Sequence, residues 1–487
     1  MIVLKNYSLW LDGIDNSSFS KLEKDMNVDV LIIGGGLTGI STFYHLLNSN
    51  LNVLLVERNK VGEGVSSKTT GKLTFLQENI YSKVSNIYSK DVAKMYLDSQ
   101  KDAIKLVRKI VTDNNIECNF SKQKSYLFAT SNIEINNIKK EKEILESFNI
   151  KVTENKNLPT NINSFYSFCV DNTAYFHPVK YIKKLATICY KKKGNIYENT
   201  NIIKIDKIED KYICYTENNK IIAKKIVIAS HYPFFLFPYL FPIKVHLEKS
   251  YISGNISNKF KNISGINSNK DSISFRYHND IHNYYIYLNG SHNLAFKYNN
   301  KDNFNNLLKN SDKANYIWSN TDIITNDNLP LIGELNKNLY IGTGYNTWGM
   351  TNGSLAGVII SDLIQDKNNK YKNLFNPKRA MPISTYPNYF LNIFSSAKPF
   401  IENKIIKNKG FYSNNVIFTK RNGKDIAIYI DESKKEHIVY NTCPHLKCSL
   451  IFNEVERTWD CPCHASRFSI DGKCISGPAN KDITYKD

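Results

Sequence analysis

Residues 28–33 read Val-Asp-Val-Leu-Ile-Ile, a short apolar run of the kind that forms a strand buried on both faces of a sheet. Residues 40–48 carry the pattern of a helix, and residues 53–56, Val-Leu-Leu-Val, predict the next buried strand. Over residues 89–114 the apolar positions Val92, Met95, Ile104, Val107 and Ile110 recur at helical spacing and predict a long surface helix. Pro178 can open another helix through Leu185, because a proline in the first turn has no N–H to lose. Residues 225–230 predict a later buried strand. Residues 246–300 alternate, as in Tyr284-Tyr285-Ile286-Tyr287-Leu288, and predict antiparallel strands of a second lobe. Residues 339–344 form another strand ending in a glycine turn, followed by a helical stretch over 352–364. Pro377, Pro382, Pro387 and Pro399 mark residues 376–408 as a linker, and the remainder reads as short strands and turns.

Between the first strand and the first helix stands Gly34-Gly35-Gly36-Leu37-Thr38-Gly39, and Glu57 ends the second strand. This is a βαβ unit with G-x-G-x-x-G and a carboxylate about 20 residues on. Gly34 allows the tight turn, Gly36 lets the backbone approach a pyrophosphate, and Gly39 lets the helix pack on the strand. The helix N-terminus offers unpaired N–H groups to the phosphates. Glu57 can accept hydrogen bonds from ribose hydroxyls. Strand, helix, second strand and carboxylate stand in register, so the segment predicts a dinucleotide site.

Composition narrows the class. A chain of 487 residues suggests two or three domains, and 42% apolar against 22% charged residues is a globular balance. No run of about 20 apolar residues occurs, so no membrane span is expected. The most apolar stretch, residues 232–243, is short and broken by Pro233, Pro238 and Pro242; it predicts a buried loop and strand. The N-terminus lacks the features of a signal peptide, which predicts a cytoplasmic protein. Cys118, Cys169, Cys189 and Cys214 are scattered in apolar or mixed segments and read as reduced core thiols. The net charge of +19 comes from Lys dispersed along the chain, without an Arg-rich tract, so no nucleic-acid partner is expected. If that charge has a use, it is to steer an acidic electron-transfer protein.

The other five cysteines crowd near the C-terminus, in Cys443-Pro444-His445-Leu446-Lys447-Cys448 and Cys461-Pro462-Cys463-His464. Two thiolates can hold one iron of a [2Fe–2S] cluster and two imidazoles the other; imidazole removes negative charge, so the cluster accepts an electron more easily. That assigns Cys443 and Cys461 to one iron, and His445 and His464 to the other. The alternative is a Cys2His2 zinc site, but zinc knuckles space Cys with Cys and His with His, and C-x-H is too tight for them. Residues 458–468 (Thr-Trp-Asp-Cys-Pro-Cys-His-Ala-Ser-Arg-Phe), Asp471-Gly472 and Gly477-Pro478-Ala479 closely resemble a Rieske iron–sulfur domain over approximately residues 409–487. That family usually has glycine where Lys447 and Ala465 stand, and an apolar residue at Cys474. In such a domain Cys448 and Cys463, one in each ligand loop, could form a disulfide. A dithiol–disulfide exchange there would make the protein a redox sensor instead.

Three further segments favour FAD over NAD. They are Gly62 through Thr74 (Gly-Glu-Gly-Val-Ser-Ser-Lys-Thr-Thr-Gly-Lys-Leu-Thr), residues 226–234, and residues 342–353. Together they resemble the FAD-dependent oxidoreductases of the D-amino-acid oxidase / glycine oxidase superfamily, in the branch fused to a Rieske domain. The resemblance implies an α/β, Rossmann-like FAD-binding domain with an inserted antiparallel-sheet substrate lobe, plus a small all-β Rieske domain. The implied division is an oxidoreductase over residues 1–375, with FAD-binding segments at about 26–80, 170–235 and 325–366. The substrate lobe covers about 85–169 and 236–324, the linker 376–408, and the Rieske domain 409–487. Expected FAD contacts are Gly34, Gly36, Gly39, Glu57, Arg58, Ser66, Thr70, Gly71, Lys72, Gly344, Trp348, Gly349, Met350 and Thr351, with the helix N-terminus near Thr351 facing the flavin pyrimidine. Lys72 is expected near flavin N5, Arg276 on a substrate carboxylate, and His292 or His231 beside the substrate. The implied activity is oxidation of an amine or amino acid by hydride transfer to flavin, with electrons leaving through the cluster to another carrier. An electron-transfer reductase running from flavin to a partner enzyme is the alternative.

Overall fold

The computed structural model describes residues 4–15, 18–155, 157–192, 194–233, 241–269, 272–294, 299–311, 313–387 and 415–486. Its first sheet has the strand order Leu331–Asn336, Leu339–Thr343, Lys220–Ile228, Met26–Ile33, Val53–Val56, Asn195–Tyr197. The four pairings from Leu339–Thr343 to Asn195–Tyr197 are parallel, and the edge strand Leu331–Asn336 is antiparallel. The apolar run at 28–33 sits at the centre of this sheet because both of its faces are covered. Val30 and Ile32 enter one core with the helix Leu37–Leu46, while Leu31 and Ile33 enter a second core on the opposite face. The helices Leu37–Leu46 and Gly349–Ile364 pack on each other across the first of these cores.

The second sheet runs Tyr316–Thr325, Val245–Ile256, Asn283–Asn293, Ser274–Asn279, Ile263–Asn267, Ser121–Ala129, Tyr166–Tyr175, Lys72–Leu73. Its first five strands are antiparallel neighbours, as the alternating Tyr and Ile pattern predicts. Ile263–Asn267 then pairs in parallel with Ser121–Ala129, so the sheet is mixed rather than purely antiparallel. The strand Tyr166–Tyr175 crosses the expected border at residue 170. Its cross-strand partners in Ser121–Ala129 decide its place, which no local pattern reveals. The long helix is Lys90–Asp113, opened by the Ser89 side chain accepting from the Val92 N–H.

The C-terminal domain has one three-stranded sheet, Val416–Arg421, Lys424–Ile430 and Glu436–Tyr440, and one four-stranded sheet, Ile451–Asn453, Thr458–Asp460, Arg467–Ser469 and Cys474–Ser476. Trp459 and Phe468 are fully buried in its core. Before it, the linker is held at Arg379, which lies buried against Asp327 (Nε–Oδ2 2.7 Å). The rest of the expected linker, 388–408, and residues 234–240 of the apolar stretch lie outside the described residues. No helix among the described residues is long and apolar enough to cross a membrane.

Candidate active site

At the glycine loop the backbone makes the close contacts that the sequence motif demands. Gly34 has φ +115°, and a Cβ on Gly39 would lie 1.9 Å from the Gly34 carbonyl oxygen. Gly36 caps the following helix without a side-chain hydrogen bond, and the N-terminus of that helix abuts the cavity at Leu37 and Thr38. Glu57 accepts from the Gly35 N–H (2.7 Å) and the Asn59 N–H (2.9 Å), and Ser66 Oγ accepts from the Leu37 N–H (3.1 Å). Gly39→Ala is therefore expected to displace the loop from the helix and purify without flavin, read as flavin absorbance per chain.

The loop that follows is fixed carbonyl by carbonyl. Ser8 donates to Ser67 O (2.6 Å), Trp318 Nε1 to Lys68 O (3.0 Å) and Trp10 Nε1 to Thr69 O (2.6 Å). Arg276 Nη1 donates to Thr70 O (2.8 Å) and Gly71 O (2.5 Å), and its Nη2 meets His278 Nδ1 at 2.8 Å. The guanidinium is fully buried between Trp10 and Tyr175. Arg276 thus clamps the loop at residues 70–71 through Nη1, while its buried Nε has no partner among the described residues. Ser8, Trp10 and Trp318 gave no sign of this in the sequence, since each lies far along the chain from the loop it holds.

A large cavity follows the glycine loop. Of the expected cofactor residues, Gly34, Gly36, Glu57, Arg58, Ser66, Gly349 and Met350 line it. Gly39, Thr70, Gly71, Lys72, Gly344, Trp348 and Thr351 do not. Thr351 and Asn352 instead join a buried network with Gln77, Gln100 and Tyr96. Lys72 Nζ donates to Ser274 Oγ (2.5 Å) and lies 5.4 Å from the Trp348 ring centroid. Burial, then the Arg276 charge, push Lys72 down to about 7. His292 stands outside the cavity wall, with Nε2 3.1 Å from the Tyr251 hydroxyl. His231 does line the cavity. It holds a left-handed φ of +66°, its Nε2 meets Thr321 O at 3.0 Å, and burial keeps it neutral, down to about 4.

Asp322 is a cavity residue that the sequence did not single out. Burial, then the Glu248 carboxylate across the strand, push it up to about 7; Asn320 donates to it at 3.0 Å. Unfolded, it would titrate near 3.8. The folded state therefore holds a proton that the unfolded state releases in this window. Its share of stability is full below about pH 4 and is lost as pH rises through about 7. Asp322→Asn is expected to gain stability over the wild type at about pH 8, by up to about 4 kcal/mol, and to gain nothing at about pH 4. Denaturant unfolding at the two pH values measures this.

The remaining wall of the cavity comes from the C-terminal domain: His464, Ala465, Arg467, Ile475, Ser476 and Gly477. His464 and His445 have ring centroids 5.0 Å apart, and Tyr232 of the cavity wall lies 5.8 Å from His464. Nε2 of His445 and Nδ1 of His464 are buried without a partner. Burial holds His445 down to about 4 and His464 to about 3, so both are neutral imidazoles fit to bind a metal. Beside them the neighbouring Cys461 thiol holds the Cys443 thiol down to about 7. The sulfurs of Cys448, Cys461 and Cys463 lie within 4.8 Å of one another, but Cys448 and Cys463 are joined as a disulfide. Within the two ligand loops the free thiols are those of Cys443 and Cys461. Lys447 and Ala465 adopt left-handed φ values of +62° and +60°, so both loops keep the turn without glycine.

A model of the FAD dependent oxidoreductase family matches residues 29–363, and a Rieske [2Fe-2S] domain model matches 403–485. The chain belongs to the FAD dependent oxidoreductase family. A curated relative named as a Rieske 2Fe-2S iron-sulfur protein, YhfW of Bacillus subtilis (strain 168), is 30% identical over 98% of this chain and 97% of its own length. Glycine oxidase from Geobacillus kaustophilus superposes with a TM-score of 0.62 at 16% identity, covering 73% of this chain and all (100%) of that one. L-amino acid deaminase from Proteus vulgaris gives a TM-score of 0.59 at 17% identity over 76% of this chain and 99% of its own. The protein is an FAD dependent oxidoreductase fused to a Rieske [2Fe-2S] domain. The first domain binds FAD and the second a [2Fe–2S] cluster.

Proposed function

We propose that this protein oxidises a small amine or amino-acid-type substrate and delivers the electrons singly to a separate electron-transfer protein. The C–N bond loses two electrons, so each turnover serves two one-electron acceptors. FAD supplies the hydride acceptor, and the [2Fe–2S] cluster a one-electron exit that an oxidase without the domain lacks. The observation that supports this reading most is the shared cavity, which runs from the glycine loop to His464. Cys443 and Cys461 would hold one iron, and His445 and His464 the other. His464 and Tyr232 then form the wall between the two cofactor positions. Gly34, Gly36, Gly39, Glu57 and Ser66 would hold the pyrophosphate and ribose, with Gly349 and Met350 at the flavin end. Lys72, part-neutral near pH 7 and beside Trp348, is the candidate for tuning the flavin. His231 and Asp322 stand on the cavity wall together with Glu57 and Lys68.

The test is an anaerobic screen of amines and amino acids by flavin bleaching, run beside NADH and NADPH. Bleaching by an amine or amino acid, and not by a reduced nicotinamide, is expected. Rapid bleaching by NADH alone would replace this reading with that of an electron-transfer reductase.

A further inference from the structure

Glu57 and Arg58 close the second strand of the βαβ unit, the place of the adenosine half of a bound dinucleotide. The structure draws part of that place from the other domain. Arg58 Nη1 donates to Ala479 O (2.7 Å) and meets Cys474 Sγ at 2.9 Å, while its Nε donates to Asn201 Oδ1 (3.1 Å). Asn59 Nδ2 donates to Ile475 O (3.0 Å). Asn201 Nδ2 donates to Asn480 O (2.7 Å), and Asn480 Nδ2 returns a bond to Ile203 O (2.7 Å). These bonds hold residues 474–480 against the strand end, with Ser476 and Gly477 in the cavity wall alongside Glu57 and Arg58. Those residues fall within the match to the Rieske model and outside the match to the oxidoreductase model.

We infer that the Rieske domain is a structural half of the dinucleotide site: residues 475–477 close its adenosine end, and FAD is held between the two domains. The inference rests on FAD occupying this cavity. The domain therefore has two tasks, to carry the cluster and to retain the flavin. FAD cannot leave unless the 474–480 segment parts from Arg58, Asn59 and Asn201. The adenosine half, rather than the flavin ring, senses whether the domain is docked.

The test uses the full chain. Ser476→Trp places a large ring at the adenosine end from the Rieske side. Its apoprotein, titrated with FAD by flavin fluorescence, is expected to bind about tenfold or more weakly than the wild type. FMN, which lacks the adenosine half, should bind both proteins equally. The cluster spectrum, recorded by electron paramagnetic resonance, should be unchanged. A second variant, Asn59→Ala with Asn480→Ala, loosens the clamp without filling the cavity and should release FAD several-fold faster. Wild-type FAD affinity in Ser476→Trp with an intact cluster signal would overturn the inference. So would an unchanged FAD release rate in the double variant. A wild-type chain that binds FMN and FAD alike would also overturn it, and one that binds neither would contradict the FAD reading beneath it.

Discussion

Cys461→Ala is expected to purify with its flavin and without its iron–sulfur centre. Cys461 is buried, 3% exposed, and its thiol neighbours that of Cys443. Removing it takes away half of the protein ligands of one iron. No other thiol among the described residues stands ready to replace it. Cys448 and Cys463 are bonded to each other, and Cys474 is occupied by Arg58 and by the carbonyls of Ser476 and Ala479. Loss of a ligand's supporting partner alone lowers metal affinity about 10–100-fold, so loss of the ligand itself should leave less than about a tenth of the iron. The disulfide and the core around Trp459 and Phe468 remain, so the domain stays docked and FAD stays bound. Iron per chain and the paramagnetic signal of the reduced cluster check this. A full cluster signal in Cys461→Ala would remove Cys461 from the ligand set.

Arg467→Met is expected to destabilise the domain junction by about 3–5 kcal/mol, because it strands two buried carboxylates. Arg467 Nε pairs with Asp460 Oδ1 (3.1 Å) and its Nη2 with Glu456 Oε2 (2.9 Å), all of them buried. Asp460 also receives Lys249 Nζ of the other domain at 3.0 Å, and Glu456 accepts from the Ser319 N–H at 3.1 Å. Burial alone would raise Asp460; Arg467, then Lys249, outweigh it and hold the carboxyl well below its usual range. A depressed folded value stabilises above the unfolded pKa, near 3.8, and is lost as pH falls below it. The gap between wild type and variant should therefore be widest above about pH 5 and narrow progressively as pH falls below the unfolded value near 3.8. Denaturant unfolding across that range reads it, and a gap independent of pH would show that packing, not charge, is what Arg467 contributes.

The parts of the site that were legible in the sequence are those in which chemistry and spacing are local. The glycine loop announces itself because only glycine fits at Gly34 and Gly39, and Glu57 follows at the strand end. The C-x-H and C-x-x-H pairs are visible because each loop carries its cysteine and histidine within a few residues of each other. Glycine was expected where Lys447 and Ala465 stand. The turn persists because each loop closes on its own cysteine: the Lys447 N–H donates to Cys443 O (2.9 Å) and the Ala465 N–H to Cys461 O (3.0 Å). What stayed hidden depends on pairing across the chain. Arg276 reads as a strand arginine free for a carboxylate until sheet pairing buries it under residues 70–71. Asp322 reads as one polar strand residue among many, until register sets it opposite Glu248 on the cavity wall. His292 is aimed at Tyr251 by its neighbours in the second sheet, and no local feature told it apart from His231.

In the proposed reaction, electrons leave the flavin through the cluster. This route is tested most directly by mixing the anaerobic protein with a bleaching amine or amino acid, freezing samples at successive times, and recording flavin absorbance and the cluster's paramagnetic signal together. The expected result is a reduced-cluster signal that grows as the flavin bleaches, in every chain that carries both cofactors. A flavin that bleaches fully while the cluster stays oxidised would contradict the account.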